Sequence, residues 1–159
     1  MPAIKKKPFP LLTAAAIEKM PETRRVHCLN KGAIRHGKSL GDALGMTKLG
    51  FHIVRIAPGN ESTEYHTHYC DEEFVYILTG RGVTEIGGRK IRVGAGDFMG
   101  FAAQSLPHTL SNPHKEDLVY LMGGTRNAID ISEYPRSRVR TYKFAGKRHT
   151  VRFKDVKEE

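Results

Sequence analysis

Apolar and polar positions along this chain fall into short runs separated by turn residues. From Val26 onward the runs are VHCL, FHIVRIA, FVYIL, VTEI, KIRV, FMGFA, HTLSN, LVYLM, TYKFA and HTVRF. Each has strand length, and several alternate with a period of two, which places successive side chains on opposite faces of a sheet. Between them stand ProGly at 58–59, ThrGlyArgGly at 79–82, GlyGly at 87–88, GlyAlaGlyAsp at 94–97 and AsnPro at 112–113. GlyGly predicts a tight hairpin, because both central residues of a type I′ turn need positive φ. Short strands at this spacing predict an all-β sandwich or barrel. Upstream the pattern differs. MPAIKKKPFP holds three prolines in ten residues and can form neither a regular helix nor a central strand, so it reads as a mobile arm. Leu11 to Met20 predicts a short helix ended by ProGluThr at 21–23. Residues 1–25 are thus an arm with a short helix, and residues 26–159 one barrel with a basic C-terminal extension.

At 159 residues the chain has the length of one domain with a core of its own. Cys28 and Cys70 match no CxxC spacing, which fits a reducing compartment. No apolar stretch approaches the ~18 residues of a membrane span, and LLTAAAI lacks a cleavage site. The expectation is a cytoplasmic protein with no membrane partner. The formal charge of +9 raises the question of nucleic acid, but its distribution argues otherwise. Residues 1–38 carry +7 and residues 126–159 carry +5, whereas residues 39–125 carry −3. No helix-turn-helix, zinc finger or aromatic RNA-binding pattern accompanies the basic flanks, so they read as solvated surface and no nucleic-acid partner is expected.

The candidate chemistry lies in GNESTEYHTHYCDEEFVYILTGRG, residues 59–82. Alternate residues of a strand share a face, so His66 and His68 can present two imidazole nitrogens to one ion. Glu73 follows a turn and opens the next strand, where its carboxylate can swing back towards the same point. His108, in SLPHTLSN, is a fourth candidate from a later strand, and a small barrel brings such strands together. Three imidazoles and a carboxylate suit Mn, Fe, Zn, Ni or Co better than Ca or Mg. Cys70 could share a face with His68 only if YCDE stayed extended, and that stretch reads as a turn. His27, His36, His52, His114 and His149 read as surface or hydrogen-bonded histidines.

The sequence resembles the cupin superfamily. Its first motif is matched by Gly59, His66, His68, Glu73 and Gly80, and its second by Gly96, His108 and Asn112. Glu73 is preferred to Glu72 because it keeps six residues before Gly80. The departures are one extra residue between Gly59 and His66, Ala102 and Gln104 in place of a Pro and a Gly, and one extra residue before His108. The resemblance implies a double-stranded β-helix, or jelly roll, whose interior holds one divalent transition metal ion on His66, His68, Glu73 and His108, with positions open to water or a small-molecule substrate.

Within that superfamily the chain, with its AIDISEYPRSRVRTYKF extension, is similar to proteins described as sugar phosphate isomerases. That similarity implies metal-polarised enediolate chemistry in aldose–ketose exchange. Candidate proton shuttles are Glu64, Glu85 and His52, and candidate phosphate anchors are Arg55, Arg81 and Arg92. The same ligands would serve an Fe(II)-dependent dioxygenase, and a non-catalytic small-ligand-binding cupin would need no proton shuttle. The irregular arm would leave an edge strand bare unless it crossed to a second copy, so a homodimer is expected.

Overall fold

A computed structural model describes residues 8–157, so the Lys triplet of the expected arm lies outside the described residues. In chain order the elements are α1 (Ala14–Lys19), β1 (Thr23–His27), β2 (Asn30–Ser39), α2 (Leu40–Ala43), β3 (Leu49–Ile56), β4 (Thr67–His68), β5 (Glu73–Thr79), β6 (Arg81–Ile86), β7 (Arg89–Gly94), β8 (Phe98–Phe101), β9 (His108–Ser111), β10 (Leu118–Thr125), β11 (Asp130–Tyr134), β12 (Val139–Phe144) and β13 (Lys147–Arg152). No helix among the described residues is long and apolar enough to cross a membrane.

Helix α1 begins where Thr13 Oγ1 accepts the N–H of Ala16, an N-cap that satisfies one otherwise unpaired donor. It stops before Met20, whose backbone is extended because Pro21 disfavours the helical conformation of the residue before it. Lys38 Nζ donates to the carbonyls of Ile17 and Glu18 at 3.0 and 2.9 Å, a cation on the free carbonyls of a helix end.

The strands pair antiparallel throughout and build two facing layers, the β-sandwich expected of the strand and turn spacing and the jelly roll implied by the resemblance. One layer is a six-stranded sheet in the order β1-β2-β3-β10-β5-β8. The other joins the ladder β7-β6-β9 to the ladder β13-β12-β11-β4 through bridges Glu61↔Ser111 and His66↔His108, since His66 runs directly into β4. The ladders do not close into one continuous ring. Between the layers Val54, Ile56, Ile77, Val93, Met99, Phe101, Leu110, Leu118 and Tyr120 form the core. The turns follow the glycines: Gly87 and Gly88 have φ of 57° and 81°, as the β6–β7 hairpin requires. At Gly80, φ is 81° and a Cβ would sit 2.3 Å from the Asp117 carbonyl oxygen, so a side chain there would force β5 and β10 apart.

Two strands depart from the sequence reading. The β region opens at Thr23 rather than Val26, and β2 continues through Arg35-His36-Gly37-Lys38-Ser39, a stretch too polar and glycine-rich to read as a strand; pairing to both β1 and β3 holds it. β11 was hidden because its alternation is inverted: Asp130, Ser132 and Tyr134 are buried while Ile131 and Glu133 are less so.

Candidate metal centre

His66 and His108 face one another across an antiparallel bridge in which each backbone N–H donates to the other's carbonyl, at 3.1 and 2.8 Å. Their rings therefore leave the backbone on the same side, 4.8 Å apart between centroids. His68, two residues on, shares that side. Glu73 arrives from the opposite layer as the first residue of β5. Its Oε2 lies 3.5, 3.6 and 3.5 Å from Nε2 of His66, His68 and His108. Phe101 stacks on His108 at 3.5 Å and 4°, and Tyr134 stacks on His66, so packing fixes two of the three ring planes.

The outward nitrogen of each ring is also held. His66 Nδ1 donates to the Glu64 carbonyl at 2.9 Å and His108 Nδ1 to that of Leu106 at 3.4 Å. His68 Nδ1 donates to Asp130 Oδ2 at 2.6 Å. Carbonyls and carboxylates only accept, so each proton sits on Nδ1 and each neutral ring turns a bare Nε2 lone pair inward. Three lone pairs facing a carboxylate oxygen, with no proton among them, form a set of acceptors that repel unless a cation stands between them. The donor chemistry fits a divalent transition ion. When a proton supplies the positive charge instead, hydrogen bonds from His108 and His66 overcome burial, which by itself raises the pKa of Glu73, and hold it well below the usual carboxylate range. Burial lowers His108. For His68 burial acts the same way, but the bond to Asp130 and the charge of Glu73 outweigh it and the net shift is upward.

Asp130 is a positioning residue that the sequence reading missed. It is 2 % exposed. Oδ1 accepts the backbone N–H groups of Cys70 and Asp71 at 3.1 and 3.0 Å, while Oδ2 accepts from His68 and, at 3.3 Å, from Ser132 Oγ. Burial pushes the Asp130 pKa up, but these bonds and the His68 charge prevail and it lies far below the normal range. Its signal in the sequence is the polar-in alternation of DISEY. Asp71 belongs to the same shell and is already neutralised by Lys143.

The site opens into a cavity of about 430 Å³ lined by Arg25, His27, Arg35, Glu73, Tyr120, Tyr134 and Arg148, among others. The cavity selects among the residues singled out in the sequence. It brings together His66, His68, Glu73 and His108 and leaves the other candidates outside. Glu72 and Cys70 are exposed. Glu64 is buried away from the cavity and contributes only its carbonyl, and Glu85 binds Arg136. His52 lies in an adjoining small recess with Thr23, Ser39 and Val54, which shares Arg25, Arg35 and Met122 with the cavity. Arg55 is ion-paired with Glu22 and Asp117, and Arg81 and Arg92 are exposed on β6 and β7. The arginines that do line the cavity, Arg25, Arg35 and Arg148, come from the two basic flanks read as solvated surface.

Two further lining residues carry polar groups. His27 Nδ1 accepts the N–H of Leu29, and burial, with the nearby charges of His66, Arg35 and Arg148, lowers its pKa to about 4; it is a neutral ring with its proton on Nε2. Tyr120 is 1 % exposed, its hydroxyl has no hydrogen-bond partner among the described residues, and burial raises its pKa.

The chain matches the Cupin domain family over residues 52–124. It is 41 % identical, with a TM-score of 0.92, to the crystal structure of a protein from Acidithiobacillus ferrooxidans described as a "Putative sugar phosphate isomerase", covering 94 % of this chain and 96 % of that one. This chain belongs to the cupin superfamily. A second cupin structure, described as a sugar phosphate isomerase from Silicibacter pomeroyi, is 25 % identical with a TM-score of 0.80 over 94 % of this chain and 97 % of that one. Among curated proteins, an oxalate-binding protein of Thermotoga maritima is 29 % identical over 63 % of this cupin and 73 % of its own length. The chain spans 45 % of the length of another curated relative. The family match ends before β11, so Asp130 lies beyond it.

Proposed function

We propose that this cupin isomerises a small sugar phosphate, with His66, His68, Glu73 and His108 holding one divalent transition metal ion. The observation that carries this reading is the convergence of three Nε2 lone pairs on the Glu73 carboxylate inside a basic cavity. The likeness to the A. ferrooxidans protein over nearly the full length supports the reaction class. A bound ion would act as a Lewis acid on a substrate carbonyl. The chain's own groups do the rest. Tyr120, held protonated by burial, offers its otherwise unpartnered hydroxyl as a hydrogen-bond donor to a substrate oxygen. His27 offers a second neutral donor, and the apolar wall of Met99, Phe101 and Leu110 keeps water from the reacting atoms.

The cavity lining favours a second reading on one point: among the described residues Glu73 is its sole carboxylate, and a carboxylate held so acidic is a weak base. A cupin that only binds a small oxyanion needs no base, and one curated relative is described as an oxalate-binding protein.

One assay separates these readings. A panel of aldose and ketose phosphates, incubated with metal-loaded protein under air and under argon, should show aldose–ketose exchange at the same rate in both. Turnover only in air would establish the Fe(II)-dependent dioxygenase reading instead, and ligand binding without turnover the binding-protein reading. Tyr120→Phe sharpens the test. It should lower kcat about 10²-fold, as loss of one oxyanion donor does. Thermal stability should not fall, since a buried hydroxyl without a partner is removed.

A further inference from the structure

The cavity carries more positive charge than its metal ligands require. Among the described residues three arginines line it against one carboxylate, so with the histidines neutral its wall is net positive before any ion enters. Arg25 and Arg35 are direct cross-strand partners on β1 and β2, and both line the cavity, so like charges sit side by side on one face, an unfavourable arrangement without an anion. Arg148 reaches the same space from β13 in the other layer. Elsewhere Arg55, Arg126, Arg136 and Arg140 are neutralised by carboxylates, whereas none of the three cavity arginines has an ion pair among the described residues. Arginines without a carboxylate partner thus stand on the cavity wall, Arg35 half-buried and Arg25 and Arg148 exposed.

We propose that Arg25, Arg35 and Arg148 form the anchor for the phosphoryl group of the substrate, holding that end while the other end reaches Glu73. This rests on the sugar phosphate reading and names the part of the cavity that would recognise the phosphate. A phosphomonoester suits it better than a carboxylate for two reasons. Its dianionic charge meets guanidinium groups that no carboxylate of the described residues neutralises. Its three non-ester oxygens can each meet a guanidinium fork, whereas a carboxylate has only two oxygens to share among three arginines. A volume of about 430 Å³ is within the usual range for a small-molecule site.

Isothermal titration calorimetry on the purified protein, its metal content measured, tests the assignment with D-ribose 5-phosphate, D-ribose, inorganic phosphate and oxalate as probes. D-Ribose 5-phosphate should bind at least tenfold more tightly than D-ribose and be displaced by inorganic phosphate. Arg25→Gln with Arg35→Gln should raise its Kd at least tenfold, Arg148→Gln on the exposed edge strand severalfold, and Arg81→Gln, outside the cavity, not at all. Circular dichroism identifies any variant that has lost its fold, and Arg148→Gln then carries the test. The assignment is overturned if neither phosphate probe binds, if D-ribose binds as well as its phosphate, if the arginine variants stay within twofold of the parent, or if oxalate displaces D-ribose 5-phosphate more effectively than inorganic phosphate does. Arginine-dependent phosphate binding without turnover would leave the anchor standing and end the isomerase reading. Isomerase activity whose KM ignores the arginine substitutions would do the reverse.

Discussion

Replacing His66 and His108 together by Ala is expected to remove stoichiometric divalent metal from the purified protein while the far-UV spectrum of a β protein persists. Both halves of that outcome follow from the local geometry. The bridge between the two residues uses backbone groups at 3.1 and 2.8 Å, which Ala retains, so the layer keeps its register. What disappears is half of the inward-facing acceptor set, and Nε2 of His68 with the Glu73 carboxylate offers too few donors for tight binding of a transition ion. Loss of the Phe101–His108 and Tyr134–His66 stacks adds a packing cost of about 1 kcal/mol each, small beside the cooperative core. Elemental analysis and circular dichroism on the same preparation read both quantities. Stoichiometric metal retained by the double variant would remove these histidines from the ligand set.

Asp130→Asn should produce the second large effect, although Asp130 touches no metal. Four donors converge on its two oxygens. Asn supplies one oxygen and turns an NH₂ group towards donors that it cannot satisfy. Metal affinity should fall about 10- to 100-fold, the usual consequence of losing the partner that orients a ligating imidazole, and stability by about 1–3 kcal/mol. In protein stripped of metal the loss should depend on pH in a defined way. The folded pKa of Asp130 lies below its ordinary 3.8, so its contribution is complete above that value and vanishes as pH falls through the folded one. The folded pKa of His68 lies above 6.5, so its contribution is complete below that value and vanishes as pH rises through the folded one. The difference in unfolding free energy between parent and variant should therefore be greatest between about pH 4 and 6.5 and shrink on either side. A difference independent of pH would mean that Asp130 acts by packing alone.

The turns and most strands could be read from the sequence because they depend on local chemistry: paired glycines at 87–88 and apolar alternation in FHIVRIA or LVYLM need no knowledge of what lies across the sheet. The spacing of His66, His68 and Glu73 was legible for the same reason, and His108 through its place in a second motif. What escaped depends on tertiary context. β2 is a strand because it has neighbours on both sides, not because its residues favour extension. β11 buries its polar face, so hydrophobic periodicity points the wrong way. The basic flanks read as solvated surface, yet strand pairing on β1, β2 and β13 brings Arg25, Arg35 and Arg148 to the cavity wall, Arg25 and Arg148 staying exposed, while Arg55, nearer in sequence to the histidines, pairs with Glu22 and Asp117. Nothing local distinguishes these arginines. His27, which read as an ordinary strand histidine, lines the cavity only because the β1–β2 hairpin folds over it.

The inverted strand β11 also sets how short a working version of this protein can be. A chain cut after β10 would retain every one of the four inward-facing donors and the whole segment shared with the family, yet His68 would lose the carboxylate that settles which of its nitrogens is bare. The four donors alone thus do not define the centre, and a minimal scaffold for grafting it must run through Ser132.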